Sequence, residues 1–154
     1  MRLALEKMFK LSQKADYGLI LLSFIARIHP RGEAKAISGL HPGGVNQAGY
    51  VSISSIASKH KISTKFLSQI AQELKRAGIL SSREGISGGY TLAKSADEIK
   101  ILDVLRILEG DLIEGKCFEE GHECTCGAGE MWQQMKKQME ATLGHKTVAD
   151  LVTR

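Results

Sequence analysis

Residues 51–80 read VSISSIASKHKISTKFLSQIAQELKRAGIL, and the class of fold follows from the helical patterns in this segment. Ser52 is suited to cap a short helix that ends at about residue 59. A turn over residues 60–63 then leads to a longer helix over residues 64–77. Two helices joined by so short a turn are typical of a helix-turn-helix.

The longer helix has two different faces. Ser63 is suited to cap it and Gly78 to end it, since glycine readily takes the left-handed conformation found after many helices. One face is apolar and consists of Phe66, Leu67, Ile70, Ala71, Leu74 and Ala77. The other is polar and consists of Thr64, Lys65, Ser68, Gln69, Gln72, Lys75 and Arg76. The apolar face is therefore expected to pack into a core and the polar face to remain accessible.

Further helices and a hairpin flank this unit. The spacing of apolar residues predicts a first helix within residues 11–28, another over residues 99–108 and a last long one over about residues 130–143. Two short strands, residues 79–83 and 90–93, are joined by a glycine-rich turn and form a wing. We therefore expect a mainly α fold with a small β wing, namely a winged helix-turn-helix domain followed by a long C-terminal dimerisation helix.

Charge is divided unevenly along the chain. Residues 1–95 contain 14 Lys or Arg against 5 Asp or Glu, a net charge of +9, whereas residues 96–154 contain 7 against 12, a net charge of −5. We expect residues 1–95 to form a winged-helix domain with a glycine-rich insertion at residues 31–49. Residues 96–154 are expected to supply a cysteine loop and dimerisation helices. The basic half suits double-stranded DNA, whose phosphates Lys and Arg neutralise.

The accessible face of the second helix supplies the candidate DNA contacts. A helix-turn-helix places the N-terminal residues of that helix against base edges in the major groove, whereas basic side chains mostly meet phosphates. The candidates are Ser63, Thr64, Lys65, Ser68, Gln69, Lys75, Arg76 and, in the wing, Arg83. A winged helix that binds another protein instead is disfavoured by the net charge of +9.

All three cysteines, Cys117, Cys124 and Cys126, lie within ten residues. With no export signal and no apolar run of membrane-spanning length, we expect a cytoplasmic protein that does not enter a membrane. Disulfides are disfavoured in a reducing cytosol, and an odd count leaves one thiol over. Three thiolates suit a soft metal centre, either an iron-sulfur cluster or zinc, although this spacing fits no common zinc pattern. His122 is a candidate further ligand.

Short motifs occur in a fixed order along most of the chain. They are Leu11-Ser-x-Lys-x-x-Tyr17, Ile56-Ala57, Ile62-Ser63-x-x-Phe66-Leu67, Leu74-x-x-Ala77-Gly78-Ile79-Leu80-x-Ser82 and Gly88-Gly89-Tyr90-x-Leu92-Ala93, then Ile99 and Leu108-Glu109-Gly110. Together they resemble the Rrf2 family of winged-helix transcriptional regulators, including its iron-sulfur regulators of the IscR and NsrR type. The resemblance covers nearly the whole chain except residues 31–49. It implies a homodimer that binds a pseudo-palindromic operator.

The same resemblance implies an iron-sulfur cluster, 2Fe-2S or 4Fe-4S, held by the three cysteines. Their spacing of six and one intervening residues differs from the more even spacing common in the family. Some members supply a histidine three residues after the third cysteine, but Gly129 stands there in this chain. The resemblance therefore favours Asp16 from the first helix of the partner subunit as the further ligand, with His122 as the alternative.

The wing departs from the family's pattern. Members have an arginine, a glycine and a following proline that probe the minor groove, whereas this chain has Glu84-Gly85-Ile86. A carboxylate there is expected to repel phosphate. Arg83, one residue earlier, is expected to alternate to the opposite face and so to replace the family's arginine only in part.

The predicted function is that of a DNA-binding transcriptional regulator. It senses iron-sulfur, redox or nitric oxide status through its cluster, and genes for cluster assembly are the suggested targets. The alternative is a cluster-free winged-helix regulator that depends on thiols or zinc. An enzyme is not expected, because the chain has no Ser-His-Asp, phosphate-loop or paired-carboxylate pattern.

Overall fold

The structure is a computed structural model that describes residues 11–28, 49–86, 88–113, 118 and 127–152. The predicted mainly α fold with a β wing is confirmed. No helix within these ranges is long and apolar enough to cross a bilayer. The elements in chain order are α1 (Gln13–Ile28), α2 (Ile53–His60), α3 (Thr64–Arg76), β1 (Leu80–Arg83), β2 (Gly89–Leu92), α4 (Ile101–Glu109), α5 (Ala128–Gly144) and a 3-10 turn (Val148–Leu151).

The connection between α2 and α3 is the tight turn that the sequence predicts. Lys61 takes the left-handed conformation, with a φ of 54°. The Ser63 hydroxyl then caps α3 by accepting a hydrogen bond from the backbone N–H of Phe66 at 3.4 Å. Ser52 precedes α2 as expected, but the prediction that its side chain caps the helix is wrong. Its hydroxyl lies 2.6 Å from that of Ser54, and this contact takes the place of a bond to the helix backbone.

The end of α3 is fixed by Gly78, which takes a φ of 75°. Its N–H donates to the carbonyl of Lys75 at 3.0 Å, and the N–H of Ile79 donates to the carbonyl of Leu74 at 2.9 Å. These two bonds form a Schellman motif and turn the chain from α3 into β1. Ala77 was predicted on the apolar face but is exposed, because it lies beyond the last helical residue, where the chain turns out of the helix.

One hydrophobic core joins the helices. Helix α1 contacts α3, α4, β2 and the 3-10 turn, so it occupies the middle of the domain. The apolar residues predicted on one face of α4 are buried as expected. The largest fully buried side chains are Leu21, Leu22, Ile25, Val51, Ile56, Leu67, Ile70, Leu74, Ile99, Val104 and Val148. The apolar faces of α1, α2, α3 and α4 thus meet in a single cluster.

The C-terminal 3-10 turn returns to this core. The N–H of Val148 donates to the carbonyl of Ile99 at 2.9 Å, and the N–H of Ala149 donates to that of Ala96 at 3.1 Å. Val148 is fully buried and belongs to the same cluster as α1. The core therefore draws residues from both sides of position 95, and the division into residues 1–95 and 96–154 stays a prediction.

Strands β1 and β2 form an antiparallel pair in which Leu80 faces Leu92 and Arg83 faces Gly89. The wing is also fixed to the start of the helix-turn-helix, because Val51 and Tyr90 exchange two backbone hydrogen bonds of 2.9 Å. The orientation of the wing relative to α2 and α3 is thus set by backbone contacts.

Candidate nucleic-acid interface

The polar face of α3 is open to solvent as predicted. Among the DNA-binding candidates, Ser68 is half-buried, and the exposed ones on or beside the helix are Ser63, Thr64, Lys65, Gln69, Lys75 and Arg76. Glu73 is the single acidic residue of α3, and its carboxylate forms an ion pair with Lys14 at 2.7 Å. In the part of the chain that the structure describes, none of the three basic residues of α3 forms an ion pair. The helix therefore presents unneutralised positive charge.

A groove of about 490 Å³ separates the C-terminal half of α3 from the wing. Lys75 and Arg76 line it from the helix, and Arg83 and Glu84 line it from the wing. Consecutive strand residues normally face opposite sides, but β1 ends at Arg83 and Glu84 already belongs to the turn, and both residues line the groove. Three of the predicted cationic residues are thus brought together, and Coulomb attraction favours an anion such as a phosphate there.

Residues 12–17, which are Ser12 and the start of α1, contact α3 through two side chains. Besides the ion pair between Lys14 and Glu73, the ring of Tyr17 meets that of Phe66 edge to face, with centroids 5.9 Å apart. These contacts fix the first turn and the C-terminal part of α3 relative to α1. We call residues 12–17 the α1 junction.

The α1 junction also contacts the end of α4. The Ser12 hydroxyl donates a hydrogen bond to the carboxylate of Glu109 and also accepts one from the backbone N–H of Lys14 at 3.1 Å. Glu109 is the last residue of α4, eight residues before Cys117. Asp16 lies in the same junction and is exposed. The junction therefore joins α3 to the end of α4, after which the chain continues into residues 114–126, here called the cysteine segment.

The predicted ligands Cys117, Cys124, Cys126 and His122 lie outside the described residues, as does the insertion except for Gly49. Within the described ranges no group of three or more His, Cys, Asp or Glu side chains is placed to hold a metal ion. Phe118, directly after the first cysteine, is described and half-buried. The ammonium of Lys136 lies 5.1 Å from the centre of its ring, a cation–π contact that attaches the cysteine segment to α5.

Helix α5 is largely uncovered in a single chain, since Gly129 is its one buried residue. The guanidinium of Arg106 on α4 meets the carboxylate of Glu140 at 2.9 Å. Of the apolar residues at helical spacing along α5, Leu143 packs against the core, Trp132 and Met139 are half-buried, and Met135 is 37% exposed. Met131, one turn before Met135, is 54% exposed. Among the residues that the structure describes, Met131 and Met135 in the N-terminal half of α5 are thus exposed.

A helix-turn-helix with a flanking wing, a cationic face on its second helix and a long helix after it define a DNA-binding regulator of transcription. Residues 44–154 match the sequence profile of the Rrf2 family, described as an iron-dependent transcriptional regulator. This chain belongs to the Rrf2 family, as its motifs predict.

Relatives of known name and structure cover nearly the whole chain. A putative HTH-type transcriptional regulator of Aquifex aeolicus is 29% identical over 147 residues, covering 92% of this chain and 90% of the relative. The structure of CymR, the global cysteine regulator of B. subtilis, superposes with a TM-score of 0.70 at 28% identity, over 95% of this chain and 98% of CymR.

The structure of T. potens IscR gives a TM-score of 0.65 at 27% identity, over 93% of this chain and 85% of that one. Together with the family match, these relatives confirm that the chain is a regulator and not an enzyme. The likeness thus extends both to a cysteine regulator and to IscR.

Several contacts at this interface could not be predicted from the sequence. Lys14 and Glu73 are far apart in the chain, as are Ser12 and Glu109. Each pairs residue types found on most helix surfaces, so no pattern singled them out. The sequence identifies Glu84 as a departure from the family's wing pattern, but it does not predict that this residue lines the groove.

Proposed function

We propose that this chain is a homodimeric cytoplasmic regulator that binds operator DNA with α3 and its wing. In this proposal its three cysteines bind an iron-sulfur cluster, which changes the affinity for DNA. The observation that carries the proposal is the continuous series of contacts from Phe118, beside Cys117, to α3. Such a series gives the cysteine segment a physical route to the DNA-facing helix.

The N-terminal half of α3 faces the bases in this proposal. Thr64, Ser68 and Gln69 carry hydroxyl or amide groups that donate and accept hydrogen bonds at base edges, and Lys65 donates. Ser63 holds the helix start through its cap to Phe66. Sequence discrimination is therefore assigned to the beginning of the helix, where its side chains reach deepest into the major groove.

The groove beside the wing holds the DNA backbone. Lys75, Arg76 and Arg83 supply three cations around one space. Neutralised phosphates release counterions, and this release provides most of the affinity that does not depend on sequence. The two sets of residues thus divide recognition between base contacts and backbone contacts.

The donor set fits an iron-sulfur cluster. Three thiolates close together are its usual protein ligands, and Asp16 is an exposed carboxylate available to a partner subunit, with His122 as the alternative. When bound, the 2Fe-2S or 4Fe-4S cluster supplies a redox-active centre. Glu114, Glu119, Glu120 and Glu123 surround the cysteines in sequence and add negative charge, which favours a low reduction potential.

The cysteine segment acts on α3 through packed side chains. Engagement of the three thiolates holds Phe118 against Lys136, and the ion pair of Arg106 with Glu140 fixes α5 to α4. From the end of α4 the hydrogen bond of Glu109 reaches the α1 junction, which holds α3. Release of the thiolates loosens this series, an order-to-disorder change that alters DNA affinity.

The DNA-binding unit in this proposal is a dimer of two copies of the chain. The exposed Met131 and Met135 on α5 suit a face that is covered by the same helix of a second subunit. A two-fold dimer presents two α3 helices about one turn of DNA apart, so the operator is pseudo-palindromic.

The test is the metal content and visible spectrum of protein purified without oxygen. We expect a brown protein that contains iron and inorganic sulfide. Iron and sulfide are both expected to be lost in each of the single substitutions Cys117→Ala, Cys124→Ala and Cys126→Ala. Asp16→Asn is expected to weaken retention of iron, whereas Asp97→Asn, an exposed acidic residue outside the α1 junction, serves as the matched control. Colourless wild-type protein without iron would contradict the proposal.

The second candidate is a cluster-free regulator that responds through thiols or zinc. The similarity to CymR, a cysteine regulator by its title, favours it. This candidate predicts colourless protein in which zinc or free thiols account for all three cysteines. DNA affinity then changes on thiol oxidation and returns on reduction, with no iron present at any stage.

A further inference from the structure

The wing brings a carboxylate into the groove that is otherwise suited to phosphate. Glu84 is exposed, lines the groove with Lys75, Arg76 and Arg83, and forms no ion pair within the described part of the chain. The rest of the wing turn, residues 85–88, is uncharged. A carboxylate there repels the backbone of any duplex unless a hydrogen-bond donor on the DNA compensates for it.

The position of Glu84 is well defined by the turn that follows it. The N–H of Gly88 donates to the carbonyl of Gly85 at 2.9 Å and closes the turn. A side chain at position 88 would overlap the carbonyl oxygen of Arg83, so the turn stays compact only with glycine there. Tyr90 on β2 exchanges two backbone hydrogen bonds with Val51, which precedes α2. These bonds fix the wing, and with it the backbone of Glu84, relative to α3.

The geometry of a duplex indicates which donor Glu84 meets. With α3 in the major groove and the backbone held by the cationic groove, the wing turn lies on the far side of that backbone, at the minor groove. Minor-groove edges present acceptors at every base pair and one kind of donor, the exocyclic N2 amine of guanine. A carboxylate is therefore disfavoured over A·T pairs and compensated over G·C pairs.

We propose that Glu84 is a specificity-determining residue that accepts a hydrogen bond from a guanine N2 amine in the minor groove beside each half-site. The same charge discriminates against sites that have only A·T pairs at that place, because there it remains unpaired. The inference rests on the proposed placement of α3 and the wing on DNA and is independent of the cofactor. Ile86, fully exposed at the turn, adds apolar contact without charge.

The experiment starts from duplexes selected from a random-sequence pool by wild-type protein and, separately, by Glu84→Ala. Wild-type sites are expected to carry a guanine at symmetric positions outside the two α3 contacts. Replacing that guanine by inosine, which lacks the N2 amine, is expected to weaken wild-type binding about tenfold, within the range for one good base contact. Glu84→Ala is expected to bind duplexes that have only A·T pairs at these positions several-fold more tightly than wild type does, and to be insensitive to inosine. Glu84→Gln keeps an acceptor and retains part of the preference.

Two results overturn the inference. One is wild-type binding that is unchanged by inosine at every flanking guanine, and the other is equal sensitivity of Glu84→Ala to inosine. The variant Lys75→Ala distinguishes a wrong role for Glu84 from a wrong placement of the groove on DNA. If Lys75→Ala weakens binding while inosine has no effect, the role of Glu84 alone is wrong. If Lys75→Ala binds as tightly as wild type, the placement of the groove on DNA is wrong and the role of Glu84 falls with it.

Discussion

The hydroxyl of Ser12 donates a hydrogen bond to the carboxylate of Glu109, and this bond joins the first turn of α1 to the last residue of α4. The two residues are 97 positions apart. On one side of the bond the chain continues toward the cysteines, and on the other Lys14 and Tyr17 hold α3. The bond is thus one contact in the series between Phe118 and the DNA-facing helix, beside the apolar packing of α4 against α1 and α3.

Breaking this bond is expected to uncouple DNA affinity from the state of the cysteines. Glu109→Ala leaves the cap that Ser12 gives to Lys14 intact, so it removes the link alone. We expect a loss of about 0.5–1.5 kcal/mol in the free energy of unfolding, typical of one hydrogen bond. The ratio of DNA affinities between cofactor-loaded and cofactor-free protein is expected to shrink toward one, as measured by fluorescence anisotropy at fixed salt.

Asp103→Ala on the exposed side of α4 is the matched control for Glu109→Ala and is expected to leave that ratio unchanged. A ratio equal to that of wild type in Glu109→Ala would show that the coupling takes another route.

Removing single cations from the groove is expected to weaken binding to all duplexes alike. Lys75→Ala, Arg76→Ala and Arg83→Ala each lose one phosphate contact, so the slope of log affinity against log salt falls by about one unit. Lys137→Ala, an exposed lysine on α5, is the control and is expected to keep the wild-type slope. An unchanged slope in all three groove variants would exclude the groove from the DNA contact.

Charge on the exposed part of α5 is expected to prevent dimer formation. Met131→Glu and Met135→Glu place a carboxylate on apolar surface that a second subunit covers, and burying an unpaired charge is costly. Sedimentation is expected to show a monomer for these variants and a dimer for wild type. Gln133→Glu adds the same charge on another exposed side of α5 and is expected to remain dimeric. A monomeric wild type would refute the assignment.

The C-terminal 3-10 turn is expected to make stability depend on pH in the acid range. The N–H of Thr147 donates to the Asp150 carboxylate at 2.8 Å, and this bond, with help from the Thr147 hydroxyl and Lys146, lowers the pKa of Asp150 below its ordinary value. A lowered pKa in the folded state means that its stabilisation is present above the ordinary carboxyl pKa and is lost as pH falls through the folded value.

Asp150→Asn is therefore expected to lower the thermal midpoint at neutral pH and to flatten its decline below about pH 4, near the ordinary pKa of an aspartate. Asp97→Asn is the control and is expected to behave like wild type. An identical acid profile in Asp150→Asn and wild type would show that the capping interaction does not contribute.

The fold was predictable to the extent that local patterns decide it. Helix α3 combines a capping serine, an apolar face and a terminal glycine, and each of these acts within a few residues. The cap expected from Ser52 failed because the neighbouring Ser54 offered its hydroxyl a competing partner. Such competition depends on rotamers, which a residue pattern does not specify.

The site was predictable in composition but not in arrangement. Exposed cations on α3 follow from helix periodicity, whereas the meeting of Arg83 and Glu84 in one groove depends on where β1 ends. The contact between Phe118 and Lys136 depends on how α5 packs after the cysteine segment, which no local rule fixes. Long-range contacts between common residue types therefore had to come from the structure.

Control of DNA binding by the cluster can be measured as the affinity of one operator duplex for oxygen-free protein before and after its iron is removed, at the same salt and protein concentration. We expect a change of at least tenfold that is reversed when iron and sulfide are restored. We also expect Cys117→Ala, in either preparation, to bind like the iron-free form. Equal affinities of the iron-loaded and iron-free wild-type protein would contradict control by the cluster.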